Sequence, residues 1–150
     1  ALVVRTAWLY GSVGSNFVKT MLRIMSGGGE VRVVSDQVGT PTWSNSLARS
    51  IWCMADRGMS GMQHWTDSGV ASWYDFAVAI SELGIELGIL ETLPHVVPVA
   101  TRDFPTPARR PAYSILDTTG TRSLLESSGC VPCPHWRTNL TEMMKGLASA

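Results

Sequence analysis

The sequence predicts an α/β fold with a partly parallel sheet, and three observations carry that expectation. Short β-rich apolar runs at Leu2 to Thr6, Val31 to Val34, Met62 to Thr66 and Val96 to Ala100 alternate with stretches of helical periodicity. Clusters of Gly, Ser, Asn and Pro separate the runs, which favours strand and helix in alternation over a bundle or a sandwich. The 150 residues, 45% of them apolar, are enough for one core, so a single domain over 1–150 is expected.

The elements follow in order. After the first strand, the polar loop Gly11 to Ser15 leads into a helix with Phe17, Met21, Ile24 and Met25 on one face, capped by Asn16 or Ser15 and stopped by Gly27-Gly28-Gly29. The strand Val31 to Val34 runs into a loop, Ser35 to Trp43, dense in turn residues. Ser44 or Asn45 is the expected cap of a second helix with Leu47, Ile51, Met54 and Ala55 on one face. Gly58 and Gly61 punctuate the approach to the strand Met62 to Thr66. Ser72, with Asp75 three residues later, is a capping box opening a third helix whose stripe is Phe76, Ile80 and Leu83, with Gly84 or Gly88 as its end. Val96 to Ala100 is the fourth strand. The stretch Arg102 to Pro111 holds Pro105, Pro107 and Pro111 and is excluded from helix or central strand. Ser114 to Asp117 leads to a short helix over Thr118 to Glu126, and Trp136 to Leu147 forms the last one.

Composition excludes several function classes. Twelve basic and twelve acidic residues balance, so no net field draws the chain to nucleic acid or to an anionic membrane surface. No apolar run reaches the roughly 20 residues that span a bilayer, and no signal-peptide pattern stands at the N-terminus, so a cytoplasmic protein is expected. Charged residues are only 16% of the chain while Trp occurs six times, which predicts apolar surface intended for a partner or a further domain. Cys53, Cys130 and Cys133 do not form a secreted disulfide framework, and Cys130-Val-Pro-Cys133-Pro-His135 reads as a Pro-rich loop carrying thiols more readily than as a zinc or redox site.

Candidate chemistry is spread over several motifs. Gly11-Ser-Val-Gly14-Ser-Asn-Phe17 has the order of a dinucleotide-binding turn, but Phe17 stands where the third glycine is needed for close helix packing. Ser12 or Ser15 could act as nucleophile with His64 and Asp67, although no G-x-S-x-G elbow is present. In Asp36-Gln37-Val-Gly39-Thr-Pro41-Thr42 a fixed backbone carries donors and acceptors. Arg109 and Arg110 lie in a loop stiffened by proline, a good arrangement for capturing phosphate through paired guanidinium bonds.

Taken together the motifs resemble the C-terminal half of the dTDP-4-dehydrorhamnose reductase family, extended short-chain dehydrogenases that reduce a nucleotide-linked keto-sugar. The resemblance rests on Arg5-Thr-Ala-Trp8-Leu-Tyr10-Gly11, Asn16-Phe-Val-Lys19-Thr-Met-Leu22, Asp36 to Thr42, Ser72-Trp73-Tyr74-Asp75-Phe76-Ala77 and Pro105 to Pro111. It implies the C-terminal part of such a fold, with Trp8 near the sugar and Asn16, Lys19, Gln37, Pro41, Arg109 and Arg110 around the nucleotide diphosphate of a dTDP-sugar or dTDP. The family uses NADPH or NADH, yet its G-x-x-G-x-x-G turn and Y-x-x-x-K pair belong to an N-terminal Rossmann half that would precede Ala1. Tyr10, Tyr74 and Tyr113 are followed four residues on by Gly14, Val78 and Asp117, so none has the lysine that would assist proton transfer.

The resulting expectation is a truncated, nucleotide-sugar-binding half with no catalytic residue, no bound metal and no cofactor of its own. Its first strand, which would normally lie inside a sheet, would present an unpaired apolar edge and pair with a second copy or with a missing N-terminal half. A stand-alone serine esterase and a non-catalytic oligomerising module are the alternatives.

Overall fold

Local capping and long-range strand pairing share the work of building this chain. The computed structural model describes residues 1–127, 129 and 133–149. Its first half runs β1 (Leu2–Arg5), β2 (Leu9–Tyr10), α1 (Phe17–Ser26), β3 (Glu30–Val34), β4 (Val38–Gly39), β5 (Thr42–Trp43) and α2 (Ser44–Asp56). The second half runs β6 (Gly61–His64), β7 (Ala71–Ser72), α3 (Trp73–Glu86), β8 (His95–Val99), a 3₁₀ turn over Thr101–Asp103, α4 (Thr119–Ser127) and α5 (Trp136–Ala148).

The strands form four pairs. β1 lies parallel to β6, with Leu2 opposite Gly61 and Arg5 opposite His64. β3 lies parallel to β8, with Glu30 opposite His95 and Val34 opposite Val99. Two-residue contacts complete the set, β2 parallel to β5 and β4 antiparallel to β7. The α/β class and the partly parallel pairing therefore match the expectation from sequence. β1 has β6 on one side and no second strand among the described residues. The turn-dense stretch after β3, expected to be loop throughout, instead contributes β4 and β5, and β7 is a further short strand that the sequence pattern does not predict. Two-residue strands carry no period of their own; their partners lie elsewhere in the chain.

Capping explains where two helices begin. Asn16 caps α1 by accepting the Lys19 N–H at 3.2 Å, and Ser72 and Asp75 form the reciprocal capping box of α3. α2 departs from the expectation, because its cap is Trp43 rather than Ser44 or Asn45, and Trp43 has no capping side chain. The acceptor comes from Asp67, whose Oδ2 takes the Trp43 N–H at 3.0 Å. Gly88, at φ 69°, closes α3. Gly84 sits inside that helix, where a Cβ would fall 2.7 Å from Leu90, so it is a packing glycine.

The main core lies between α1, α3, α5 and β3. Phe76, Ile80, Val18, Leu140 and Met144 are wholly buried there, and Phe76 touches the rings of Tyr10, Phe17 and Trp136. A smaller cluster of Met54, Trp65 and Leu125 sits under β1, with Leu2 and Val4 against it. No helix of the described residues is long and apolar enough to cross a membrane.

Candidate functional site

An aromatic stack marks the floor of the site. Trp8, in the turn between β1 and β2, has φ 48°, the left-handed region that a bulky side chain rarely enters. Such a residue costs on the order of 1–3 kcal/mol and persists only where its surroundings hold it. What holds it is visible: its indole lies face to face with Trp73 at 3.6 Å and 10°, and its backbone oxygen accepts the Thr42 N–H at 3.1 Å. Phe17 tilts against the same Trp73 at 4.7 Å.

Gly39 leaves the room that the stack requires. A Cβ there would stand 2.5 Å from Trp8 Cε2, so Gly39→Ala is expected to push the indole off Trp73 and to destabilise the fold by about 1–3 kcal/mol, the usual cost of overpacking. Near-ultraviolet circular dichroism would report the lost stack, and urea unfolding the stability.

A loop pinned at both ends covers the stack. At its start, the Thr101 N–H donates to both Asp36 carboxylate oxygens at 2.9 and 3.0 Å, and the Thr101 hydroxyl donates to Asp36 Oδ1 at 2.6 Å. The hydrogen bond from Thr101 holds the exposed Asp36 carboxyl below its ordinary value. At its end, Val38 donates its N–H to Ala112 O at 2.8 Å and accepts from the Ser114 N–H at 2.9 Å. Between these anchors run Phe104, Thr106 and Arg110.

Two adjoining cavities open beneath the loop. The larger, about 310 Å³, has apolar walls from Phe17, Met21, Val33, Trp73 and Phe104, with Gln37 and Arg110 at its polar side. The smaller, about 180 Å³, is bounded by Ala7, Trp8, Pro111 and Ser114. Gln37, Trp73 and Arg110 line both, so a guanidinium and an amide stand where the two spaces meet. This arrangement suits an elongated ligand with a flat apolar end, an anionic middle and a polar end against an indole.

Of the residues singled out from sequence, Trp8, Gln37 and Arg110 come together here. Asn16 instead caps α1 and donates its Nδ2 to Gly11 O at 2.7 Å, while Lys19 Nζ donates to Ser12 O at 3.2 Å. Pro41 is buried between β4 and β5, and Arg109 is exposed; neither lines the cavities. Sequence reasoning missed Trp73, Phe104 and Thr101. Trp73 lies at the opening of α3, where an aromatic residue has the pattern of core.

Other candidate motifs resolve differently. In the Gly11 to Ser15 loop, carbonyls of Gly11 and Ser12 take the Asn16 amide and the Lys19 ammonium, and Phe17 points into the aromatic cluster. Asn16 Oδ1 also takes the Lys19 N–H, and Phe17 stands where the third glycine of a dinucleotide-binding turn is needed, so the turn does not fit a dinucleotide fingerprint. Burial, with Asp67 nearby, holds the Tyr10 hydroxyl far above its ordinary value. His64 Nδ1 lies 3.1 Å from Asp117 O, and Asp67 is tied to Trp43; neither makes a hydrogen bond to Ser12 or Ser15 among the described residues. Cys130, with Val131 and Pro132, lies outside the described residues. Burial pushes the Cys133 thiol up to about 11, which opposes a reactive thiolate, and the described residues contain no cluster of three metal-ligating side chains.

The parallel pairs and the covered cleft at their ends define the substrate-binding part of an extended short-chain dehydrogenase/reductase fold. More narrowly, the chain belongs to the RmlD substrate binding domain family, whose model matches residues 1–149. It is 40% identical over 149 residues to the spore coat polysaccharide biosynthesis protein SpsK of Bacillus subtilis, covering 99% of this chain and 48% of that protein. A crystal structure of a dTDP-4-dehydrorhamnose reductase from Clostridium acetobutylicum superposes with a TM-score of 0.84 at 42% identity, over 97% of this chain and 48% of that one. The Bacillus anthracis dTDP-4-dehydrorhamnose reductase, solved in complex with NADP, gives 0.83 at 34% identity, over 95% and 47%. The chain thus spans about half the length of the relatives it matches.

Proposed function

We propose that this chain binds a nucleoside diphosphate sugar of the dTDP-sugar class, as the substrate-binding part of a dTDP-4-keto-sugar reductase. The observation that carries the reading is the sharing of Arg110, Gln37 and Trp73 between the two cavities. The apolar cavity has the character for a base, Arg110 for the diphosphate, and the Trp8 side for the hexose. Names of the relatives support the same class of substrate.

Reduction itself belongs to the longer proteins. Within residues 1–150 no tyrosine is followed four residues later by lysine, and the Gly11 to Ser15 turn before α1 has Phe17 in place of the third glycine. The reading is therefore that hydride transfer from NADPH or NADH needs the sequence that the relatives carry beyond this match.

Titration calorimetry with dTDP and dTDP-glucose tests it. Arg110→Ala is expected to weaken dTDP binding by about 10–30-fold, the loss of one charge-assisted contact, while leaving the melting temperature within a degree or two because Arg110 is exposed. Absence of binding by the unaltered chain at millimolar dTDP would refute the proposal.

A further inference from the structure

Gln37 is buried, with 7% of its surface exposed, and borders both cavities. Its Nε2 donates to Thr101 Oγ1 at 3.0 Å, and its Oε1 makes no hydrogen bond among the described residues. Oε1 is not a fully buried atom; it opens on the cavity space, where a ligand donor would take the place of water.

The direction of the Gln37 bond is set from outside the site. Asp36 is an ionised carboxylate and can only accept. The Thr101 hydroxyl has one proton, and its 2.6 Å bond to Asp36 Oδ1 uses it. The group that meets the remaining lone pairs of Thr101 Oγ1 must therefore donate, which fixes the Gln37 amide with NH₂ toward Thr101 and C=O away from it. Resting on the nucleotide-sugar reading, we infer that the Asp36–Thr101 pair sets the polarity of Gln37, making it an acceptor that selects ligands presenting a donor at the junction of the two cavities. In a dTDP-sugar that donor is either the imide N–H of the pyrimidine or a sugar hydroxyl. Thr101 and Asp36 are positioning residues; they act through Gln37 and through the loop they anchor.

Asp36→Asn gives the sharpest contrast. The new amide can donate to Thr101 Oγ1, which frees the hydroxyl proton for Gln37 and turns that side chain over, so that NH₂ faces the cavities. Calorimetry with dTDP-glucose is expected to show a loss of about tenfold for Asp36→Asn and Thr101→Val, with Thr101→Ser within twofold of the unaltered chain. If the donor is the imide, N3-methylated dTDP loses affinity to the same extent and the two variants add nothing further. If it is a hydroxyl, the methylated nucleotide binds as dTDP does, and the advantage of dTDP-glucose over dTDP disappears in the variants. Thr101→Val binding like the unaltered chain, or Thr101→Ser losing as much as Thr101→Val, overturns the inference.

A ligand-free measurement keeps it separate from the proposed function. In ¹⁵N-resolved spectra of the chain alone, the Gln37 side-chain NH₂ is expected to show slowed exchange and an Overhauser contact with Thr101, both lost in Asp36→Asn. A freely exchanging Gln37 amide in the unaltered chain overturns the polarity argument even if dTDP binds. A protected amide with no dTDP binding upholds the relay and refutes the nucleotide-sugar reading alone.

Discussion

Phe76→Ala is expected to cost about 3–5 kcal/mol, measured as the shift in the urea midpoint at constant slope. Phe76 is wholly buried and its ring meets Tyr10 at 5.4 Å, Phe17 at 5.3 Å and Trp136 at 5.8 Å. Those contacts come from β2, α1 and α5, so truncation opens a cavity where three elements converge on α3. Native domains are stable by only about 5–15 kcal/mol, so this single change removes a large share of the total. The loss also reaches the cleft, because Phe17 bridges Phe76 to Trp73. Phe76→Leu, which fills most of the volume, is expected to cost less than half as much and to keep the near-ultraviolet signal of the Trp8–Trp73 stack. A Phe76→Ala protein as stable as its parent would show that the core is not organised around this ring.

The same contrast between local and distant determinants decides what could be read from the sequence. The α3 capping box was legible because Ser72 and Asp75 are three residues apart and complete each other. The start of α2 was not, since its acceptor is supplied by Asp67, 24 residues further on and from the loop after β6. Strands of four or five residues announced themselves by composition, whereas β4, β5 and β7 exist only through their partners. At the site, Trp8, Gln37 and Arg110 were legible as unusual cargo on turns. Trp73 was hidden because an aromatic residue at a helix start resembles core, and its stack with Trp8 spans elements far apart in the chain. Thr101 gave no signal at all: its part depends on Asp36 and Gln37, 65 and 64 residues earlier.

Asp67 carries the second large effect, because its carboxylate is fully buried and holds groups from other elements together. Oδ2 caps α2 through the Trp43 N–H, and the side chains of Ser46 and Asn139 and the charge of Arg122 also act on the carboxylate. Arg122 is itself fixed by its 3.0 Å bond to the Asp67 backbone oxygen. Asp67→Ala leaves the Trp43 N–H uncapped and the half-buried guanidinium without its counter-charge, and is expected to cost about 3 kcal/mol in urea unfolding. Burial, the largest influence, raises the carboxyl above its ordinary value of 3.8 despite the lowering influence of those four groups. A folded-state value above the unfolded one means that the native state binds this proton more tightly. The resulting stabilisation is fully present below the unfolded value and is lost as pH rises through the folded one. Asp67→Asn abolishes that titration. The stability of the parent relative to Asp67→Asn is therefore expected to be greatest in acid and to decline as pH rises from below 3.8 toward neutrality, in paired urea titrations. A difference that grows with pH would show that the ionised carboxylate, held by Arg122 and the helix terminus, outweighs the cost of burying it.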